Sequence, residues 1–221
     1  MAEALITDRP APHAHQFDDV EQQHDATLMG MWVFLVTEIM FFGGLFMAYV
    51  VYRVMYPAAF AAASRELDVV LGTLNTVVLL ASSFTMVVAV YGAQNGRRAP
   101  LIGGLALTIL LGLAFLAVKF YEYREKFIEH HVPGPSFAFA APYREQAEMY
   151  FTLYFAMTGL HAVHMIVGCG LLAVLIVMAW RRRFTPDYHS PVELSGLYWH
   201  FVDIIWIFLY PLLYLIGRHL E

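Results

Sequence analysis

The chemistry-bearing residues of this chain are few, and they sit among apolar neighbours. His161 and His164 occur at i and i+3 within Thr158-Gly159-Leu160-His161-Ala162-Val163-His164, which puts two imidazoles on one helix face and within reach of a shared ligand. A metal or haem held there needs further ligands from facing segments, and the remaining candidates are Glu38, His200 and Asp203. The competing reading of the pair is packing and hydrogen bonding. Glu38 interrupts Thr37-Glu38-Ile39-Met40-Phe41-Phe42. Its carboxyl group either exchanges protons or contacts lipid, or it makes an interhelical hydrogen bond that fixes packing. Lys119, Glu122 and Lys126, at i, i+3 and i+7, form a polar face where an apolar run ends, and a salt-bridged, solvated helix end accounts for them. His13, His15 and His24 lie in or beside a polar tail and read as solvated rather than as a metal site. The single cysteine, Cys169, excludes an intrachain disulfide and any cysteine-built zinc or iron–sulfur centre. No H-E-x-x-H, G-x-S-x-G or phosphate-cradling glycine loop is present.

The elements that must position these residues are membrane-spanning helices. Of 221 residues 60% are hydrophobic, and the mean hydropathy is +0.59. Soluble domains are apolar at only about half their positions. A bilayer core of about 30 Å needs about 20 mainly apolar residues in helical form. Five segments meet that requirement, at 28–52, 69–91, 101–118, 149–180 and 194–216. The fold expected is all-α, a bundle of five transmembrane helices filling 28–221, preceded by a flexible polar tail at 1–27 that lacks the pattern of a secretory signal. The fourth span is the longest, so it is tilted or projects from the membrane. Breakers fall between the spans: Pro57, Asn95-Gly96, Pro100, Pro133, Pro135, Pro142, Pro186 and Pro191.

The two shortest loops carry Arg97-Arg98 and Arg181-Arg182-Arg183, which the positive-inside rule places in the cytoplasm. The N-terminus is then inside and the C-terminus outside. The formal charge of −5 gathers near the N-terminus, and the absence of an extended basic patch excludes nucleic-acid binding. In the third span Gly104, Thr108 and Gly112 make a small-residue stripe suited to close helix approach. In the last, Trp199, Asp203, Trp206 and Tyr210 form an aromatic stripe with polar tips, with His200 beside it, suited to a protein partner; an interfacial aromatic belt is the alternative, but a belt gathers at helix ends and this stripe runs over three turns. At mid-membrane each ionisable group costs about 2.5–3.5 kcal/mol and requires a partner, a neutral state or a role.

These residues resemble a known family, subunit III of the haem-copper oxidases. The resemblance rests on five stretches in order: residues 37–42 followed by Tyr49; Leu74-Asn75-Thr76 with Leu79-Leu80 and Ser82-Ser83; residues 119–123 with Glu122-Tyr123; residues 158–168 with the paired histidines; and Tyr198-Trp199-His200-Phe201-Val202-Asp203 leading to Trp206 and Tyr210. It is similar to the short bacterial form, which lacks two N-terminal helices that some oxidases carry on subunit I. Ala162, Pro211 and Lys119 depart from the common pattern. The resemblance implies a chain in the bacterial inner membrane that holds no haem or copper itself. Its partners would be subunits I and II, which carry those cofactors, with cytochrome c as electron donor. It further implies phospholipid in a helix-lined cleft and support of proton or oxygen access to subunit I. Glu38, Asn75, Glu122, His161, His164, His200 and Asp203 then act as buried polar anchors, and Trp199, Trp206, Tyr210, Gly104 and Gly112 as subunit or lipid contacts. Alternatives are an accessory chain of a quinol oxidase or nitric oxide reductase, an autonomous haem protein ligated by His161, His164 or His200, and a small transporter.

Overall fold

The computed structural model describes residues 17, 20–139, 142–186 and 188–215. The chain is helical: α1 (Val20–Met55), α2 (Pro57–Arg65), α3 (Val69–Gln94), α4 (Arg98–Ile128), α5 (Arg144–Trp180) and α6 (Ser190–Tyr210), closed by a π-helical turn (Pro211–Leu215). Five of these are long and apolar enough to cross a membrane, as expected. Among the described residues the only strand-like feature is an isolated bridge between Thr185 and Tyr188.

The helices outrun the hydrophobic segments at most ends. At 36 and 37 residues, α1 and α5 are each about 55 Å long at 1.5 Å per residue, so both project beyond a 30 Å core. Residues 20–27, assigned above to a flexible tail, are instead the first turns of α1. Once nucleated by the membrane span, a helix extends through neighbouring polar residues at little cost. His24 helps hold this end through Nδ1 to Ser190 Oγ at 3.1 Å. The other tail histidines, His13 and His15, lie outside the described residues. The short helix α2 was not anticipated. Pro57 reads as a breaker but occupies the first turn of α2, where its missing N–H has no helical partner to lose.

Helices α3, α4, α5 and α6 form a ring in which each packs on its neighbours, α6 closing back on α3. The α3–α4 turn ends on Gly96, whose φ of +65° suits glycine, and Arg97 N–H donates to the Gly92 carbonyl at 2.8 Å. Asp68 caps α3 by accepting from Val70 N–H at 2.7 Å. Helix α1 stands apart against α5 and α6: only 17% of its apolar window is buried within the chain, against 56% for the last span. Most of its surface therefore faces lipid or another protein.

Candidate functional site

Helix α4 presents one continuous buried face: Leu101, Gly104, Leu105, Thr108, Gly112, Phe115, Lys119, Glu122 and Lys126. The small residues at its first half allow contact closer than side chains normally permit. A methyl group on Gly104 would stand 2.8 Å from the Thr85 carbonyl and Ala89 nitrogen, and one on Gly112 2.8 Å from the Trp199 ring. The stripe is thus an interface within the chain rather than a contact for another subunit.

The same face then carries charge into the interior. Lys119, Glu122 and Lys126 are 2%, 1% and 4% exposed, which overturns the solvated helix end expected from their spacing. Lys119 Nζ donates at 3.0 Å to each of Glu122 Oε2, Tyr154 OH and Tyr214 OH, using all three of its protons. Both hydroxyls donate hydrogen bonds to Glu122 Oε1, at 2.8 Å from Tyr154 and 2.5 Å from Tyr214. The ion pair is therefore closed by a ring of hydrogen bonds, the condition under which burial of two charges is tolerable. The ammonium also lies over the rings of Tyr154 and Trp206, at 4.9 and 5.3 Å. Tyr214 reaches the pair from the π-helical turn. Pro211 opens that turn and cannot donate a helical hydrogen bond, and the carbonyls of Leu212 and Leu213 within it accept from the Tyr49 and Tyr150 hydroxyls, each at 2.8 Å. A polar hollow of about 410 Å³ lined by Arg65, Glu66, Asp68, Glu122, Lys126 and Glu129 adjoins the pair.

The histidines separate. His161 points inward between Phe115 and Trp206, with ring centroids at 5.4 and 5.3 Å. His164 faces α1, where its Nε2 meets Glu38 Oε2 at 3.1 Å. The shared ligand suggested by their spacing is replaced by two different environments. Among the described residues no group of three or more His, Cys, Asp or Glu side chains is placed to hold a metal ion. His164 Nδ1 lies 2.9 Å from the Leu160 carbonyl, which can only accept, so Nδ1 carries a proton. A single proton between Nε2 and Oε2 then serves the contact with Glu38, and the pair as a unit has no net charge wherever that proton resides. Tyr198 stacks on the imidazole and donates to the His164 carbonyl at 3.1 Å.

This pair lies in a mostly apolar cleft of about 600 Å³ between α1, α5 and α6, walled by Phe34, Val167, Leu171 and Tyr198. A second apolar cavity, of about 430 Å³, lies between α1 and α6 and includes His200, whose Nδ1 contacts Ser83 Oγ at 2.8 Å.

The aromatic stripe of α6 turns inward, which corrects its assignment to a partner or to lipid. Trp199 and Trp206 have no exposed surface. Their indole N–H groups donate to Ser82 Oγ at 3.0 Å and Thr76 Oγ1 at 3.1 Å on α3. Tyr210, at the end of the stripe, is half-buried and bonded to Thr73 at 2.6 Å. Asn75 and Asp203 are buried in the same interior. Tyr154, Tyr214, Ser82 and Thr76 complete these contacts; Thr76 and Ser82 fall within the resemblance stretches, but none of the four was singled out as a site residue, because hydroxyls in apolar helices are common and only the fold shows which of them meet.

The profile of the family "Cytochrome c oxidase subunit III" matches residues 15–218. The chain is 34% identical over 202 residues to cytochrome c oxidase subunit 3 of Papio hamadryas, covering 85% of this chain and 69% of that protein. It is likewise 34% identical to the Synechocystis protein of that name, covering 87% and 76%, and 35% identical to that of Danio rerio, covering 85% and 69%. The family match over nearly the whole chain and these identities, with five helices long and apolar enough to cross a membrane, place this multi-pass membrane chain in the cytochrome c oxidase subunit III family, as subunit III of a haem-copper oxidase.

Proposed function

We propose that the chain is a non-catalytic companion of subunits I and II in a bacterial inner-membrane oxidase that passes electrons from cytochrome c to oxygen. Haem and copper reside in those partners. The chain steadies subunit I during turnover and supports proton or oxygen access to it. The N-terminus is cytoplasmic and the C-terminus outside, following the arginine loops. The single observation that carries the role is the α1 cleft. It is mostly apolar, encloses about 600 Å³ and contains the Glu38–His164 unit of zero net charge, a size and polarity suited to phospholipid acyl chains. Glu38, His164, His200 and Asp203 serve as polar anchors between helices, and the exposed face of α1 offers area for subunit I or for helices it supplies.

The test is co-purification from mild detergent of a tagged chain, with optical spectrum, metal content and lipid content recorded before and after the chain is stripped from its partners. Haem and copper are expected to remain with the large partner, and lipid to leave with this chain. A haem band kept by the isolated chain would overturn the reading, and a complex lacking a copper-bearing subunit II would redirect it to a quinol oxidase or nitric oxide reductase.

A further inference from the structure

Four polar atoms inside the α3–α6 ring find no hydrogen-bond partner, Nδ2 and Oδ1 of Asn75 and both ring nitrogens of His161, and the Asp203 carboxyl group beside them meets one hydroxyl, that of Ser83, which leaves a carboxyl oxygen unpartnered. Their side chains are 0%, 1% and 4% exposed, so bulk solvent does not satisfy them. They also lie close in depth. Helices α5 and α6 run antiparallel with Tyr150 against Leu213, His164 against Tyr198 and Gly168 against Trp199, a register that sets His161 level with Asp203. Asp203 sits between the Trp199–Ser82 and Trp206–Thr76 contacts of α6 with α3. The α3–α4 register, fixed by Thr85 against Thr108 and Ala89 against Gly104, brings Asn75 level with Lys119. Trp206 links the two levels, with Lys119 on one side and His161 on the other.

Neighbouring hydroxyls have part of their capacity committed elsewhere. Ser83 meets both the Asp203 carboxyl and His200 Nδ1, so its single proton cannot serve every group around it. Thr76 donates to the Gly72 carbonyl at 2.9 Å while accepting from Trp206. Ser82 accepts from Trp199. Buried amide, imidazole and carboxyl groups are almost always paired with protein or ordered water, and a buried water typically binds two to four such groups. A source of water is at hand, because the polar hollow lined by Glu122 and Lys126 adjoins the Lys119 end of this seam.

We propose that the interior of the α3–α6 ring binds ordered water molecules bridging Asn75, His161 and Asp203, forming a hydrated seam that begins at the Lys119–Glu122 pair. The seam fixes the register of four helices by hydrogen bonds that no direct side-chain pair supplies.

The primary experiment is a cryo-electron microscopy map of the intact oxidase complex at a resolution that shows ordered water. Density for water within hydrogen-bond distance of at least two of the three side chains is expected. Well-resolved side chains with no water between them, or with Asp203 bonded directly to His161, would overturn the proposal. A second measurement has an opposite sign for the two cases. Asn75→Leu matches the branched heavy-atom shape with somewhat bulkier methyl groups and removes the amide: in a hydrated seam it strips the water of a partner and lowers the temperature at which the complex loses this chain. In a dry interior the same change removes two unpaired polar atoms and raises that temperature, which would also overturn the proposal.

Discussion

Lys119 Nζ lies 3.0 Å from Glu122 Oε2 with both side chains almost completely shut off from solvent, and two tyrosine hydroxyls bridge the pair. One helical turn separates the two residues along α4, so the pair needs no distant element to form, yet its burial depends on α5 and the π-helical turn. Breaking it from one side leaves an uncompensated charge. Lys119→Met or Glu122→Leu is expected to destabilise the chain by about 3–5 kcal/mol, whereas Lys119→Gln combined with Glu122→Gln costs far less. A double-mutant cycle on thermal release of this chain from the complex measures the coupling.

Glu38→Gln keeps a group that donates to His164 Nε2, so the cleft retains its hydrogen bond. The initial rate of oxygen consumption is expected to stay within about twofold of the parent, less than ~0.5 kcal/mol in barrier. Glu38→Leu leaves Nε2 without a partner, and faster loss of activity during sustained turnover is expected. Oxygen-electrode traces separate the two quantities. An immediate loss of oxygen reduction in Glu38→Gln contradicts a structural role.

Gly103 and Gly104 are neighbours with opposite surroundings. A methyl group on Gly103 meets nothing within 4 Å, while one on Gly104 meets α3 backbone at 2.8 Å. Gly104→Ala is expected to destabilise by about 1–3 kcal/mol through overpacking, and Gly103→Ala to be neutral or stabilising by up to about 1 kcal/mol through helix propensity. Thermal unfolding in detergent, monitored by circular dichroism, compares them.

Beyond the end of α4, His131 stacks on Phe151 with centroids 5.0 Å apart. Burial first, and nearby Lys126 second, hold its imidazole below the ordinary histidine range, against the pull of Glu129 and Glu66. The folded segment therefore takes up a proton less readily than the opened one. The stability it contributes is complete above the unfolded value of about 6.5 and is lost as pH falls from there toward the folded value. Amide exchange across 129–139 is expected to quicken on acidification through that window, and His131→Phe to flatten the dependence.

The sequence reading and the structure part at identifiable residues. Length and hydropathy determined five helices, because a span must satisfy its own backbone and so must be a continuous apolar helix. The order of motifs pointed to the family, and the i, i+3 pairing of Lys119 with Glu122 was legible as a local contact. Which way each face turns was not legible. Trp199 and Trp206 suit a partner surface as well as an interior, and His161 and His164 share one helix face on paper. Their environments diverge because α4 and α6 take up one imidazole and α1 the other. In a membrane the apolar surroundings outside the bundle resemble those within it, so hydrophobic pattern alone carries little information about which face is inside. That assignment came from tertiary packing: glycines at 104 and 112 that let helices close, and buried charges that find their hydrogen-bond partners only where helices distant in sequence meet.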